Sequence, residues 1–126
     1  MQQKLNILII EDNNIFHNIL AEILPEHSIL TAKTANEGLE SFRTNKPDIV
    51  LLDIALPDGN GQDLLLKIRD IDSKQYVVMM TASRLKEDIL KAMQSGAQGY
   101  IIKPFSRDMI EGCIKEFYEY KASLAI

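Results

Sequence analysis

Five polar residues stand directly after short apolar runs of the sequence, and their types suit metal and phosphate chemistry. They are Glu11 and Asp12 after the first run, Asp53 after the third, Thr81 after the fourth and Lys103 after the fifth. Carboxylates brought together repel one another unless a cation neutralises them. Magnesium prefers oxygen ligands and commonly binds one or two carboxylates together with phosphate oxygens. The set therefore predicts a magnesium site that handles a phosphoryl group.

Each residue type in this set suits one role. Asp12 and Asp53 are expected to hold the metal ion. Lys103 can offset the charge of an incoming phosphoryl group, and Thr81 can donate a hydrogen bond to it, because phosphoryl transfer depends mainly on positioning and electrostatic stabilisation. Asp53 is then the natural nucleophile, and its product is an acyl phosphate.

The elements that must position these residues are predicted from hydrophobic patterning. The apolar runs lie at Leu5–Ile10, Ser28–Ala32, Ile49–Leu52, Tyr76–Met80 and Tyr100–Ile102. Runs without polar alternation are typical of strands covered on both faces, as in a parallel sheet. Five segments with helical spacing alternate with them, which predicts a doubly wound α/β fold. In such a sheet ligands bind outside the carboxyl ends of the strands, where the five polar residues would meet.

Residues that cap or end helices agree with the predicted alternation of helices and strands. Thr34 and Glu37 have the spacing of a capping box at the start of the second helix, and Ser106 can cap the fifth. Gly96 suits the end of the fourth helix. Gly112 conflicts with the fifth helix, at a cost of about 1 kcal/mol relative to alanine.

The length and the net charge of the chain limit the classes of function that it can have. The 126 residues suit one domain. We expect it to span 1–126, with a folded core over about 5–121 and with 122–126 as a frayed end or the start of a tether. The net charge of −4, with no long basic run, argues against direct binding of nucleic acid or anionic lipid by this chain.

The remaining sequence features point to the cytoplasm. The apolar runs are far shorter than the roughly 20 residues that span a bilayer, and no signal peptide pattern is present. Cys113 is the only cysteine, so it forms no internal disulfide, and we expect it to pack as a small hydrophobic residue. His17 and His27 lack partner acids at metal or catalytic spacing. Both are expected at the surface or beside helix caps.

Four segments together resemble the receiver domain of bacterial response regulators over nearly the whole chain. They are Glu11-Asp12, residues 51–61 around Asp53, Thr81-Ala82 and residues 99–105 around Lys103. The resemblance implies a flavodoxin-like (βα)5 fold with strand order 2-1-3-4-5. It also implies a phosphorylation switch of a two-component system. A histidine kinase or a histidine phosphotransfer protein would donate the phosphoryl group to Asp53, with Mg²⁺ as the cofactor.

The resemblance also implies roles for individual positions. Asp12 and Asp53 match direct metal ligands, Glu11 would act through water, and the backbone carbonyl of Ala55 would be a further ligand. Thr81 and Lys103 match the residues that contact the phosphoryl group.

Two further features follow from the same resemblance. Tyr100 matches a switch aromatic whose ring turns inward as Thr81 moves toward the phosphate. That motion would change the surface of helix four, strand five and helix five, which would serve a downstream output domain or protein, or a homodimer. The Lys103-Pro104 peptide bond matches one that is cis in the family.

Three other functions remain as alternatives. A receiver-like interaction module that works without phosphorylation is the nearest, although it would have no physical need for the charge cluster. A phosphatase with an aspartyl nucleophile would usually have a second acid two residues after Asp53, where Ala55 stands. A dinucleotide-binding domain lacks its glycine fingerprint here. The chain is therefore not expected to be a conventional enzyme, although it would promote its own phosphorylation and autodephosphorylation.

Overall fold

The computed structural model describes residues 3–125. Its strands are β1 (Asn6–Ile10), β2 (Ser28–Ala32), β3 (Ile49–Leu52), β4 (Ala55–Leu56), β5 (Gly59–Asn60), β6 (Tyr76–Thr81) and β7 (Gly99–Ile102). Five of them form a parallel sheet in the order β2-β1-β3-β6-β7, while β4 and β5 pair as a separate hairpin. Counted without that hairpin, the order is the expected 2-1-3-4-5. The prediction of a doubly wound parallel sheet is confirmed.

The helices alternate with the sheet strands and cover both faces. They are α1 (Asn14–Ile23), α2 (Ala35–Asn45), α3 (Gly61–Ile71), α4 (Lys86–Gln94) and α5 (Arg107–Leu124). The segment expected to fray, 122–126, is thus helical through Leu124, and residue 126 lies outside the described residues. The limits of the domain remain a prediction.

Two hydrophobic cores explain why the strand residues are apolar without alternation. On one face, Ile7 and Ile9 of β1 pack in a cluster with Leu20 of α1 and Phe117 of α5. On the other, the β1 residues Leu8 and Ile10 share a cluster with Phe42 of α2, Leu65 of α3 and Ala92 of α4. Successive strand side chains point to opposite faces, so the central strands β3 and β6 are buried at every position. Full burial of each large side chain stabilises the fold by roughly 1.5–3 kcal/mol.

The helix caps form at the residues that the sequence indicates, with one difference in hydrogen bonding. The side chain of Thr34 accepts a hydrogen bond from the Glu37 N–H at 3.0 Å. The Glu37 carboxylate, however, accepts from the Lys33 N–H at 3.0 Å and not from Thr34, so only half of the predicted capping box forms as expected. Ser106 caps α5, and Gly96 has the positive φ of 96° that suits a residue following a helix end.

His17 contradicts the expected surface position. It is 7% exposed, on the buried face of α1 with Leu20 and Ile23, because residues three apart on a helix share a face. Burial lowers the pKa of His17, which favours the neutral ring. His27 lies just beyond the end of α1, as expected, and its Nδ1 accepts a hydrogen bond from the Leu5 N–H at 3.0 Å.

The hairpin formed by β4 and β5 was not predicted, and it fixes the loop that follows Asp53. Asp58, at its turn, accepts hydrogen bonds from the backbone N–H groups of Ala35 at 2.6 Å and Asn36 at 3.0 Å, at the start of α2. These bonds lower the pKa of Asp58. The chain then passes so close to β3 that a Cβ on Gly61 would overlap the backbone carbonyl of Asp53. Only glycine fits this approach.

Candidate functional site

An open cleft lies at the carboxyl edge of the sheet, where β1, β3 and β7 end. Its volume is about 490 Å³, and Asp12, Asp53, Ala55, Ala82 and Lys103 are among the residues that line it. The parallel topology places these residues together because strand ends that are distant in sequence meet at one edge.

Three carboxylates converge at this cleft. Glu11, Asp12 and Asp53 each offer one oxygen atom, and these atoms lie within 4.8 Å of one another. Glu11 is 1% exposed and Asp53 is 6% exposed, whereas Asp12 faces solvent. Buried, clustered carboxylates are unfavourable without cations nearby. The donor set is therefore one that a hard divalent cation fits, with room for water and phosphate oxygens on the exposed side.

Lys103 is the cation that the protein itself supplies. Its Nζ lies 2.8 Å from the Asp53 carboxylate and also contacts the carboxylate of Glu11. The same nitrogen lies 4.2 Å from the centre of the Phe16 ring, a distance that suits a cation–π interaction. The Lys103-Pro104 peptide bond is cis, as the resemblance implied.

Glu11 is nearly fully buried, and its surroundings strongly affect its carboxyl group. Burial raises its pKa to about 7, and the contact with Lys103 opposes that shift. The second Glu11 oxygen accepts a hydrogen bond from the backbone N–H of Asn13 at 3.0 Å. Near neutral pH this carboxyl group can therefore change its charge in response to a nearby cation.

Ala55 lies at the same cleft, but the part that its carbonyl plays remains a prediction. Its backbone N–H donates to the Asp53 carboxylate at 3.3 Å. Asp53 thus has Lys103 on one oxygen and the loop backbone near the other. The β4–β5 hairpin and the close packing of Gly61 against the Asp53 backbone carbonyl hold this loop in place.

Thr81 and Tyr100 meet at Ser83 and not at the cleft surface. Thr81 is 2% exposed, and its hydroxyl accepts a hydrogen bond from the Ser83 N–H at 3.4 Å. The Tyr100 hydroxyl donates to the Ser83 carbonyl at 3.1 Å. Residue 82, and not Thr81, lines the cleft in this conformation. The structure therefore connects Thr81 and Tyr100 through one loop residue, Ser83.

Other residues near the site were also missed. Phe16 stacks near Lys103, Asn13 anchors Glu11, and Gln62 joins α3 to α4. Asn13 has a sequence signal, because asparagine before an apolar helical segment indicates an N-cap, and its side chain does accept from the Ile15 N–H. No sequence signal indicates the contacts of Phe16 and Gln62.

Comparison with known proteins agrees with this fold and cleft. The family model for the response regulator receiver domain matches residues 7–115. The chain therefore belongs to the response regulator receiver domain family, the signalling domains of two-component systems. Receiver domains are signalling domains and not conventional enzymes.

Three similar proteins match this chain over most of their own length. The chemotaxis protein CheY of Halobacterium salinarum is 30% identical over 112 residues, which cover 87% of this chain and 93% of that protein. A CheY-like receiver domain from Methanospirillum hungatei superposes with a TM-score of 0.89 at 27% identity, over 96% of this chain and 99% of that one. A chain of the CheX-CheY-BeF3-Mg²⁺ complex from Borrelia burgdorferi superposes with a TM-score of 0.84 at 25% identity, over 90% of this chain and 89% of that one.

No helix among residues 3–125 combines the length and the apolar composition needed to cross a membrane.

Proposed function

We propose that this chain is a phosphorylation-dependent switch whose phosphoacceptor is Asp53. The observation that carries the proposal is the placement of the Asp53 carboxylate at an open cleft, among two other acids and 2.8 Å from the Lys103 ammonium. Electrostatic stabilisation of a phosphoryl group needs cations and an oriented oxygen nucleophile, and this arrangement provides both. The donor would be a phosphohistidine on a histidine kinase or phosphotransfer protein.

In the proposed reaction, an Asp53 oxygen forms a bond to phosphorus while the bond from phosphorus to the donor nitrogen breaks. The products are an acyl phosphate on Asp53 and a free histidine on the donor. Lys103 then shifts its contact from the carboxylate to a phosphoryl oxygen, and the Thr81 hydroxyl donates to another. Water attack on phosphorus would release inorganic phosphate and restore the Asp53 carboxylate.

Glu11, Asp12, Asp53 and the Ala55 carbonyl would hold Mg²⁺. The ion would supply positive charge that offsets the phosphoryl oxygens. Support comes from the three carboxylate oxygens within 4.8 Å of one another and from the Mg²⁺ in the related Borrelia complex.

The output surface in this proposal is formed by α4, β7 and α5. A turn of the Thr81 hydroxyl toward the phosphoryl group breaks its bond with Ser83, which also binds Tyr100. Three large apolar side chains are exposed on this side, Leu90 and Met93 of α4 and Met109 of α5. They suit contact with an output domain, a separate protein or a second copy of the chain. The switch would work in the cytoplasm, where two-component donors present their phosphohistidine.

The donor's docking surface would include the exposed side of α1. Ile15 and Ile19 are 62% and 37% exposed and lie one turn apart on α1, and Phe16, the neighbour of Ile15, lines the cleft. Replacement of Ile15 by Ser should slow transfer from a phosphohistidine protein by at least about fivefold, since truncation of an apolar anchor at an interface costs more than about 1 kcal/mol. Leu66→Ser is the matched control, because Leu66 is 46% exposed on α3. Transfer from a small-molecule phosphodonor should be unaffected by either change.

The experiment that tests the proposal is intact-mass spectrometry after incubation with a small-molecule phosphodonor, with and without Mg²⁺. The parent chain should gain one phosphoryl group only with Mg²⁺, and Asp53→Asn should gain none. Asp70→Asn removes an exposed acid of α3 and should react like the parent.

The alternative, a docking module that works without phosphorylation, predicts a different result. The parent would gain no phosphoryl group under conditions in which a known receiver domain reacts. Mg²⁺ would also leave the thermal stability unchanged, whereas a ligand of the folded state must raise it by mass action.

A further inference from the structure

Gln62, in the first turn of α3, is 1% exposed, and only one end of its side-chain amide is hydrogen-bonded. Its Nε2 donates to the backbone carbonyl of Asp88, in α4, at 2.9 Å. Its Oε1 is buried and has no hydrogen-bond partner among residues 3–125. A buried unpaired amide oxygen destabilises a fold, so stability alone does not favour glutamine at this position.

Asp88 extends this contact toward the switch residues. The Ser83 hydroxyl donates to the Asp88 carboxylate at 2.5 Å. The backbone of Ser83 binds Thr81 through its N–H and Tyr100 through its carbonyl. A continuous set of hydrogen bonds thus leads from α3, through the first turn of α4, to both switch residues.

We propose that Gln62 is a positioning residue that fixes the first turn of α4 and, through it, the Ser83 loop that serves Thr81 and Tyr100. This inference rests on the proposed function, because it concerns the response to phosphorylation and not the acceptance of the phosphoryl group. When Thr81 turns away from Ser83, Gln62 continues to hold Asp88. The displacement is then confined to residues 82–85, while the start of α4 stays in place.

Gln62→Leu separates this role from a purely structural one. Leucine fills a similar volume, and it removes both the bond to Asp88 and the unpaired oxygen. The melting temperature should therefore change little, because the loss of one bond is offset by the loss of an unsatisfied group. The first turn of α4 should nevertheless become more mobile.

Gln75→Leu is the matched control. Gln75 is also a buried glutamine, 7% exposed, whose Nε2 donates to a backbone carbonyl, that of Asp48, at 3.2 Å. It lies before β6, at the opposite edge of the sheet from the cleft. Its replacement should affect stability without an effect on α4 or Tyr100.

The experiment combines amide hydrogen exchange with ¹⁹F NMR of fluorotyrosine-labelled protein, in which Tyr100→Phe identifies the Tyr100 signal. In Gln62→Leu the Ile89 amide, which donates to Leu85 in the first turn of α4, should exchange roughly three- to tenfold faster, as expected for loss of one hydrogen bond. The Tyr100 signal should also shift. In Gln75→Leu, the exchange of Ile89 and the Tyr100 signal should both match the parent.

Unchanged exchange of Ile89 and an unchanged Tyr100 signal in Gln62→Leu would overturn the proposal, as would equal changes in both variants. The measurement is repeated with Mg²⁺ and beryllium trifluoride as the phosphoryl analogue. The analogue should shift the Tyr100 signal in both the parent and Gln62→Leu, but it should change the exchange of Ile89, in the first turn of α4, only in Gln62→Leu. If the analogue changes neither the Tyr100 signal nor the Ile89 exchange in any of the proteins, the proposed function fails. The exchange rates measured without the analogue still decide the role of Gln62.

Discussion

The Nζ atom of Lys103 lies 2.8 Å from the Asp53 carboxylate, although 50 residues separate the two in the chain. The same nitrogen contacts the buried carboxylate of Glu11. One ammonium group therefore faces two buried acids. Under the proposed function, a divalent cation in the cluster would share Asp53 with this lysine, which would couple metal binding to the position of Lys103.

Replacement of Lys103 by Met should lower the free energy of unfolding by about 3 kcal/mol, because it leaves buried carboxylates without their cation. Mg²⁺ should then stabilise the variant more than the parent, since the ion no longer competes with the lysine. Urea denaturation with and without Mg²⁺ measures both effects. Lys67→Met, on the exposed side of α3, should match the parent. An equal Mg²⁺ response in parent and Lys103→Met would show that the lysine and the ion do not compete.

The pKa of about 7 for Glu11 predicts opposite pH effects on stability and on metal binding. Because this pKa lies above the ordinary value of 4.5, the stabilising contribution of Glu11 is complete below that value and is lost as the pH rises toward 7. Mg²⁺ binding should strengthen over the same rise, by up to about tenfold per pH unit below the pKa. Isothermal titration calorimetry at several pH values tests this. In Glu11→Gln the pH dependence of Mg²⁺ binding near 7 should flatten.

Two glycine replacements should act in opposite directions. Gly61→Ala places a Cβ against the Asp53 carbonyl and should destabilise the protein by about 2–3 kcal/mol through overpacking. Gly112→Ala adds a Cβ with no atom within 4 Å of it and should stabilise α5 by about 1 kcal/mol. Thermal and urea unfolding measure both. If Gly61→Ala leaves the free energy of unfolding unchanged, the loop after Asp53 can move away from β3.

Asp58→Ala should destabilise the protein only where the carboxylate is charged. The backbone N–H groups of Ala35 and Asn36 lower the pKa of Asp58 below its ordinary value of 3.8. The stabilising contribution is therefore present above that value and is lost as the pH falls through the lower, folded-state pKa. Denaturation midpoints measured across acidic and neutral pH should converge for parent and variant at low pH. A difference that stays constant with pH would point to a cause other than this charge.

Several features of the fold could be predicted from the sequence because parallel strands buried on both faces produce unbroken apolar runs. Ile49–Leu52 matches β3 at both ends, and the weaker run Ser28–Ala32 matches β2, which is partly exposed at the edge of the sheet. Glu11, Asp12 and Asp53 lie close together for the same reason, because the carboxyl ends of the neighbouring parallel strands β1 and β3 open at one edge of the sheet. The roles of these residues in phosphoryl transfer remain predictions.

Other features depend on tertiary contacts that no local pattern indicates. The hairpin of β4 and β5 has strands of only two residues, too short for any periodicity. Glutamine side chains commonly face solvent, but Gln62 is 1% exposed and donates to the backbone of Asp88 in α4. The prediction of an exposed His17 is wrong because the spacing of His17 from Leu20, and not its polar side chain, determines which face of α1 it occupies.

The contact between Lys103 and Glu11 spans 92 residues and joins the end of the last sheet strand to the end of the first. A chain still emerging from the ribosome has the acids of β1 and β3 before it has this lysine. Because translation proceeds at about 5–20 residues per second, the acids wait several seconds for their partner. Under the proposed function, a chemically competent acceptor would therefore exist only after the final sheet strand is added, and incompletely synthesised chains would not divert phosphoryl groups.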